Sequence, residues 1–290
     1  MKLAVIANPE RYAIEKPLQS VLKWCDENES QLFFHEKMNG RIAAKKHDSA
    51  HPVDSEEKAV DEGDIILSIG GDGTILRTAR LVKNSRKPIL GINSGRLGFL
   101  ANTQFEQAAD SLTAVKEGDY RIDRRYMLEA VDPNRKTYHA LNEFLFSKSD
   151  STSMVSITAE FDNMLMNRYW SDGLIVASPT GSTAYNLSTG GPIVMPGTGV
   201  MVVTPINPHT LTTRPLVIPS DRKLKITVNE KPNRVLFSSD GKRCETAHEP
   251  MTFEIQRSNF MIELIELTGH NYFETLRNKL MWGADSRDAL

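Results

Sequence analysis

Only two cysteines occur in 290 residues, Cys25 and Cys244. They are far apart and form no Cys-x-x-Cys pair, which excludes a disulfide framework and a thiolate zinc site; both are expected as plain buried thiols. Long apolar runs are missing as well. Nothing approaches the ~20 residues that span a bilayer, and the run over residues 3–7 stops at Asn8-Pro9-Glu10, too early for a signal-peptide core. The expectation is a chain with no membrane partner that stays in the reducing cytoplasm. A surplus of positive charge is lacking too: 35 Lys and Arg stand against 37 Asp and Glu, net −2, so no sheath of positive potential invites nucleic acid. Neither Gly-x-x-x-x-Gly-Lys-Ser/Thr nor a Gly-x-Gly-x-x-Gly after a strand occurs, and there is no Gly-x-Ser-x-Gly elbow. That removes the standard P-loop, the usual dinucleotide turn and the simplest serine hydrolase. His47 and His51 stand four apart, but Asp48-Ser49-Ala50 between them lacks the Glu of a His-Glu-x-x-His helix; no protein-built metal site is expected.

What is present is ordinary globular material, 40% hydrophobic and 25% charged, on a chain long enough for two domains with real cores. Strand and helix alternate at first: a strand over 3–7, a helix around 18–24, a strand over 31–34. That is the rhythm of a parallel sheet. Residues 36–60 are polar and weakly periodic, and read as a mobile surface loop leading into a short helix. The continuous apolar run Ile65-Ile66-Leu67-Ser68-Ile69 fits a strand buried on both faces. Ile75, Leu76, Ala79 and Val82 then fall at helical spacing, and Pro88 introduces another strand. From about residue 120 short alternating strands take over: Val155-Ile157-Ala159-Phe161, Leu224-Ile226-Val228, Met251-Phe253-Ile255. Tyr272, Phe273, Leu276 and Leu280 share one face of a terminal helix. The Arg121, Arg124 and Arg125 group reads as a solvated domain crossing. His209 and Arg214 read as a turn between strands, fixed by Pro208 and Pro215.

The expected fold is therefore an α/β N-terminal domain, a Rossmann-like parallel sheet, over 1–120, and a β-rich sandwich domain over 121–268. A C-terminal helix within 269–290 packs back on the first domain.

Two strings carry chemistry. Gly70-Gly71-Asp72-Gly73-Thr74 follows the buried strand at its carboxyl end, where open parallel sheets bind ligands, and its glycines let backbone approach a phosphate chain. The N-terminus of the next helix favours anions. Asp72 repels phosphate, so it either accepts a proton from an attacking hydroxyl, helps hold magnesium, or is there for turn geometry. The second string, Asp172 through Pro192, reads as a strand, a hydroxyl-rich turn, a short helix and a glycine stop. Thr183 and Ser188 can donate to base or ribose atoms while Tyr185 supplies an aromatic wall; the plainer reading is an N-cap run.

The chain closely resembles the bacterial-type NAD kinases (the ATP/polyphosphate-NAD kinase family), which phosphorylate the adenosine 2′-hydroxyl of NAD. The resemblance rests on these two strings, on Gly91-Ile92-Asn93-Ser94-Gly95-Arg96-Leu97-Gly98-Phe99-Leu100, on Leu141-Asn142-Glu143 and on the run Pro205 to Pro215, in the family's order. Lipid and sugar kinases share only the Gly-Gly-Asp-Gly-Thr turn. The resemblance implies Asp72 as general base, with Gly71, Gly73, Thr74 and Arg77 by the pyrophosphate and phosphates. It implies Asn142 and Glu143 on ribose hydroxyls, and Thr183, Ala184, Tyr185, Asn186, Leu187 and Ser188 around adenosine with Asp172 nearby. Lys242 stands where some relatives have Gln near NAD, and Trp170 where several have a basic residue. NAD and ATP, or polyphosphate, are the implied substrates, with Mg2+ or Mn2+ and a homodimer or homotetramer.

Overall fold

The computed structural model describes residues 1–42, 47–95, 98–101, 103–149, 153–229, 235–244, 251–269 and 271–283. The chain divides into two units, Met1–Arg124 with Ile262–Leu290, and Arg125–Met261. Residues 284–290 of the expected C-terminal segment lie outside the described residues.

The first unit is built on five parallel strands in the order Ile89–Asn93, Ile65–Gly70, Lys2–Ala7, Gln31–His35, Ala50–Val53. Every residue of Ile65–Gly70 is buried, as a strand covered on both faces requires. Helix Glu15–Glu27 lays Leu18, Val21 and Leu22 on one face of the sheet, joined by Leu112 and Val115 of helix Ala108–Glu117. Helix Asp72–Val82 follows Ile65–Gly70 and buries Ile75, Thr78, Ala79 and Val82. Helix Tyr272–Leu280 belongs to this same unit and buries Thr275 and Leu276. The strand after Lys2–Ala7 pairs on one side of it, while Ile65–Gly70 pairs on the other. The strand order reverses between Ala7 and Gly70, and open α/β sheets bind ligands outside the carboxyl ends of strands at such a switch point.

The segment 36–60 departs from the expected loop. It holds helix Asn39–Ile42, strand Ala50–Val53 in parallel register with Gln31–His35 (Leu32 opposite Ala50), and helix Glu56–Glu62. The strand was hidden because it lies at the sheet edge, where Pro52 is tolerated and little is buried. His51 stacks on Phe33 at 5.2 Å between centroids, and His47 pairs with Asp26 at 2.5 Å. Both histidines therefore have structural work.

The second unit is a sandwich of antiparallel strands. One sheet runs Leu216–Pro219, Val200–Ile206, Gly173–Ala177, Glu143–Lys148, Val235–Ser239, Lys242–Arg243. The other includes Met164–Ser171, Val155–Phe161, Leu224–Val228 and the start of strand Met251–Leu267. The alternation seen in the sequence is the buried face: Val155, Ile157, Ala159, Leu224, Ile226, Val228, Met251, Phe253 and Ile255 share one core with Phe144, Phe146 and Phe237. Phe237 and Phe253 meet at 4.3 Å and Phe146 and Phe237 at 5.0 Å, close tilted packing of the kind aromatic rings prefer. Arg125 is buried rather than solvated, because its guanidinium donates to the Thr180 hydroxyl at 3.3 Å. Cys25 is fully buried, whereas Cys244 is only partly so.

Candidate active site

Asp72 opens helix Asp72–Val82 directly after the buried strand, with Gly71 extended at the N-cap. Its carboxylate is held by three successive backbone N–H groups. Leu100 and Ala101 each donate to Oδ1 at 3.0 Å, and Phe99 donates to Oδ2 at 2.9 Å. A carboxylate offers about four lone-pair positions, so Oδ1 is filled and Oδ2 keeps one free. Gly98 makes this possible, since a Cβ there would overlap Asp72 Oδ1. The same test gives another answer for Gly71 and Gly73, where an added Cβ meets nothing within 4 Å. Their bareness serves no internal packing; it leaves open space over the helix N-terminus, where phosphate is favoured. Gly70 differs again, as its Cβ would collide with Thr74. Arg77, one turn on, donates to Ala7 O at 2.8 Å and pairs with Glu56 at 3.1 Å. That ties it across the switch point, beside a cleft of about 320 Å3 lined also by Pro9, His35 and Lys37. A larger cleft of about 590 Å3, lined by Asp110, Ser111, Glu274 and Asn278, contains none of the expected site residues. Chemistry and not size selects the site.

In the second unit Asn142 and Glu143 lie where the chain enters strand Glu143–Lys148, which is central in its sheet and not an edge in water. Glu143 is 8% exposed and its Oε2 has no hydrogen-bond partner. Burial, and secondarily the charge of Asp240, push its carboxyl up to about 8. An orphaned buried polar atom is costly unless something else satisfies it. Ser178 N–H donates to Asn142 O at 2.8 Å, and the Ser178 hydroxyl donates to Leu141 O. Gly181 follows, with no room for a Cβ against Asn142 O. The hydroxyl-rich turn is thus packed on the Asn142 segment, and it runs through Thr180–Thr183 into helix Tyr185–Ser188.

With both constellations placed, the comparisons with known proteins decide the family. The profile of the ATP-NAD kinase N-terminal domain matches residues 3–120, and that of the ATP-NAD kinase C-terminal domain matches residues 141–267. This chain belongs to the ATP-NAD kinase family. It is 37% identical to an NAD kinase of Flavobacterium johnsoniae over 298 aligned positions, covering 99% of this chain and 100% of the relative. It is 42% identical to an NAD kinase of Bacteroides fragilis over 229 positions, 78% of this chain and 79% of the relative. Among solved structures it is similar to yeast NADH kinase complexed with NADH, TM-score 0.90 at 21% identity, covering 98% of this chain and 89% of that one. It is also similar to an NAD kinase from Archaeoglobus fulgidus in complex with ATP, TM-score 0.75 at 24% identity, covering 97% and 99%. At those identities the structural likeness concerns the fold.

The remaining residues that the ATP-NAD kinase resemblance singles out are placed unevenly. Tyr185 is 44% exposed and Ser188 is exposed; Thr183, Ala184 and Leu187 are half-buried, so this face of the short helix is reachable. Asn186 is fully buried instead. Its amide donates to Ser182 O and Pro192 O and accepts from the Thr204 hydroxyl at 2.6 Å, so its side chain braces the turn. Asp172 pairs with Lys148 at 2.6 Å and accepts from Asn207, and Lys148 above all holds its carboxyl below the usual carboxylate range. Lys242 is exposed at the start of the two-residue strand Lys242–Arg243, and Trp170 is 65% exposed on strand Met164–Ser171. Arg214 donates to Leu211 O and Thr213 O within its own turn, in keeping with the structural reading. Arg96 and Leu97 of the Gly91 to Leu100 string lie outside the described residues. Sequence reasoning missed the three amides of residues 99–101 and the aspartate at 240. The available signals were Gly98-Phe99-Leu100 and the turn pair Asp240-Gly241.

Proposed function

We propose that this chain transfers the terminal phosphoryl group of ATP to the 2′-hydroxyl of the adenosine ribose of NAD, giving NADP, with Asp72 as general base. The observation that carries the role of Asp72 is its fixed carboxylate with one acceptor position left on Oδ2, beside two bare glycines at the switch point of the sheet. The choice of substrates is supported by curated relatives named NAD kinase over the whole chain.

Oδ2 accepts the proton of the 2′-hydroxyl as that oxygen attacks the terminal phosphorus of ATP. The new P–O bond forms as the bond to the β-phosphate oxygen breaks, and ADP leaves with that electron pair. Gly71, Gly73 and Thr74 offer backbone to the phosphates, and Arg77 lends positive charge one turn on. Asn142 and Glu143 hold ribose hydroxyls, a donor–acceptor pair that rejects analogues lacking them. Thr183, Ala184, Tyr185, Leu187 and Ser188 receive adenosine on the turn that Asn186 braces, with Asp172 and Lys242 as polar neighbours. An Mg2+ or Mn2+ ion would be carried on the donor phosphates, with Asp72 as the one carboxylate the turn could offer it. Such an ion neutralises phosphate charge.

Among the described residues no helix is long and apolar enough to cross a membrane. The reading places the chain in the cytoplasm, where NAD and ATP are used. A homodimer or homotetramer is supported by apolar side chains left in the open on the second unit, Met164, Leu165, Trp170, Leu216 and Val217. The deciding assay incubates the pure protein with NAD, ATP and magnesium and reads NADP with an NADP-specific dehydrogenase. Steady NADP formation is expected; none with any donor would overturn the proposal.

A further inference from the structure

Asp240 has a conformational duty that does not require its charge. Strands Val235–Ser239 and Lys242–Arg243 are joined by Asp240-Gly241 alone, with Ser239 opposite Lys242. Both turn residues have positive φ, +47° and +73°. A two-residue hairpin loop of this kind favours Asn-Gly as readily as Asp-Gly, and its first side chain is free to face water. Here it does not. Asp240 is 8% exposed. Its Oδ1 accepts from Asn142 N at 2.7 Å and Glu143 N at 3.2 Å, its Oδ2 from Leu141 N at 2.9 Å, and its own N–H returns to Glu143 O at 3.0 Å.

A buried carboxylate is expensive unless charge-assisted hydrogen bonds satisfy it, and here three amides of one segment do so. The same segment is gripped separately by Ser178, which donates to Asn142 O and Leu141 O. Its three amides go to the hairpin, and the carbonyls of Leu141 and Asn142 go to the adenosine-side turn. Leu141–Glu143 is therefore fixed at both edges of its backbone, and Glu143 Oε2 is left aimed with no protein partner.

We propose that Asp240 is a positioning residue of the acceptor site: by gathering the N–H groups of Leu141, Asn142 and Glu143, its buried carboxylate sets the direction in which Asn142 and Glu143 meet the NAD ribose. This rests on the functional reading above. On this proposal the effect of Asp240 passes through the backbone of its neighbours.

Asp240→Asn tests it, because Asn-Gly keeps the hairpin while one acceptor oxygen becomes an NH2 group facing a backbone N–H. NAD binding is measured by calorimetry without donor, KM for NAD and for ATP by the coupled assay, and folding by thermal melting. The expected result is a folded variant whose Kd and KM for NAD rise roughly 10- to 100-fold, the range for a lost hydrogen bond to a charged group. KM for ATP should stay within about two-fold, with kcat falling far less than the NAD terms rise. Unchanged NAD affinity in the folded variant would overturn the proposal. So would an equal loss for both substrates, or failure to fold, since either assigns Asp240 to stability alone. The unaltered chain is assayed first. If it makes no NADP, the functional reading fails, and the calorimetric NAD comparison still decides the role of Asp240.

Discussion

Each unit of this chain closes three consecutive backbone N–H groups around one aspartate, in different surroundings. In the first unit the amides of Phe99, Leu100 and Ala101 hold Asp72, half-buried and with one acceptor position to spare. In the second, the amides of Leu141, Asn142 and Glu143 hold Asp240, which is buried, while the residues that bear those amides point elsewhere. On the proposed reading the same bonding stiffens a reagent in one place and a support in the other. What separates them is where the aspartate stands. Asp72 begins a helix at the carboxyl end of a parallel strand, with bare glycines on both sides, whereas Asp240 sits in a hairpin turn folded against its neighbour strand. A backbone cluster of three amides therefore identifies a fixed charge, and its surroundings decide whether that charge acts or aims.

The comparison breaks most sharply at Asp72. Asp72→Asn retains shape and most hydrogen-bonding capacity but cannot accept the hydroxyl proton. Turnover should fall by ~10² or more, the usual range for a lost general base, with calorimetric NAD affinity nearly unchanged. Full turnover in this variant would make both aspartates supports. A second cut removes the holding and leaves the reagent. Gly98→Ala puts a methyl group into Asp72 Oδ1, so the carboxylate or the 98–101 backbone must shift. A loss of about 1–3 kcal/mol in stability is expected, as for other overpacked sites, with kcat down at least ten-fold by the coupled assay and KM for NAD little altered. A variant of unchanged kcat would show that the three amides are not needed to aim Asp72.

How much of this was legible beforehand differs between the units for a physical reason. Ile65-Ile66-Leu67-Ser68-Ile69 announces a strand buried on both faces, and Val155-Ile157-Ala159 a strand buried on one, because burial writes itself into side-chain period. The Asp72 turn offers a local signal, glycines beside an acidic residue, from which the phosphate reading proposed above starts. Strand Ala50–Val53 was not, because an edge strand buries little and contains Pro52. Asp240 was not readable either. Its partners lie 97 to 99 residues away, and Asp-Gly is sufficiently explained by a hairpin. Likewise Asn186 looked like part of a polar pocket, but its amide is consumed by Ser182 and Pro192 within the turn and by Thr204, 18 residues away.

Glu143 sharpens the comparison through pH. Its carboxyl titrates at about 8 in the folded chain against an ordinary value of 4.5. Between these values the folded state keeps a proton that the unfolded state has lost, so the unfolded state binds fewer protons and stability declines as pH rises. The contribution is fully present below about pH 4.5 and gone above about pH 8. Its ceiling is on the order of 5 kcal/mol. Thermal melts from pH 5 to 9 should show a decline that Glu143→Gln flattens, leaving the variant the more stable protein above pH 8. A decline of equal steepness in both would remove Glu143 as its source.

The smallest effect compares the units by their one cysteine each. Cys25 is fully exposed to nothing but core, and burial together with the Asp26 charge pushes its thiol up to about 12. A thiol reagent attacks the thiolate, so at pH 8 Cys25 should react only when its unit opens. Cys244 is partly exposed and should react in the native state. One thiol per chain is therefore expected to label quickly, with the second appearing on denaturation and its rate reporting opening of the first unit. ATP, which the Asp72 turn and Arg77 would hold in that unit, should slow labelling of Cys25 and leave Cys244 unchanged. Equal protection of both thiols would show that labelling of Cys25 does not report opening of the first unit.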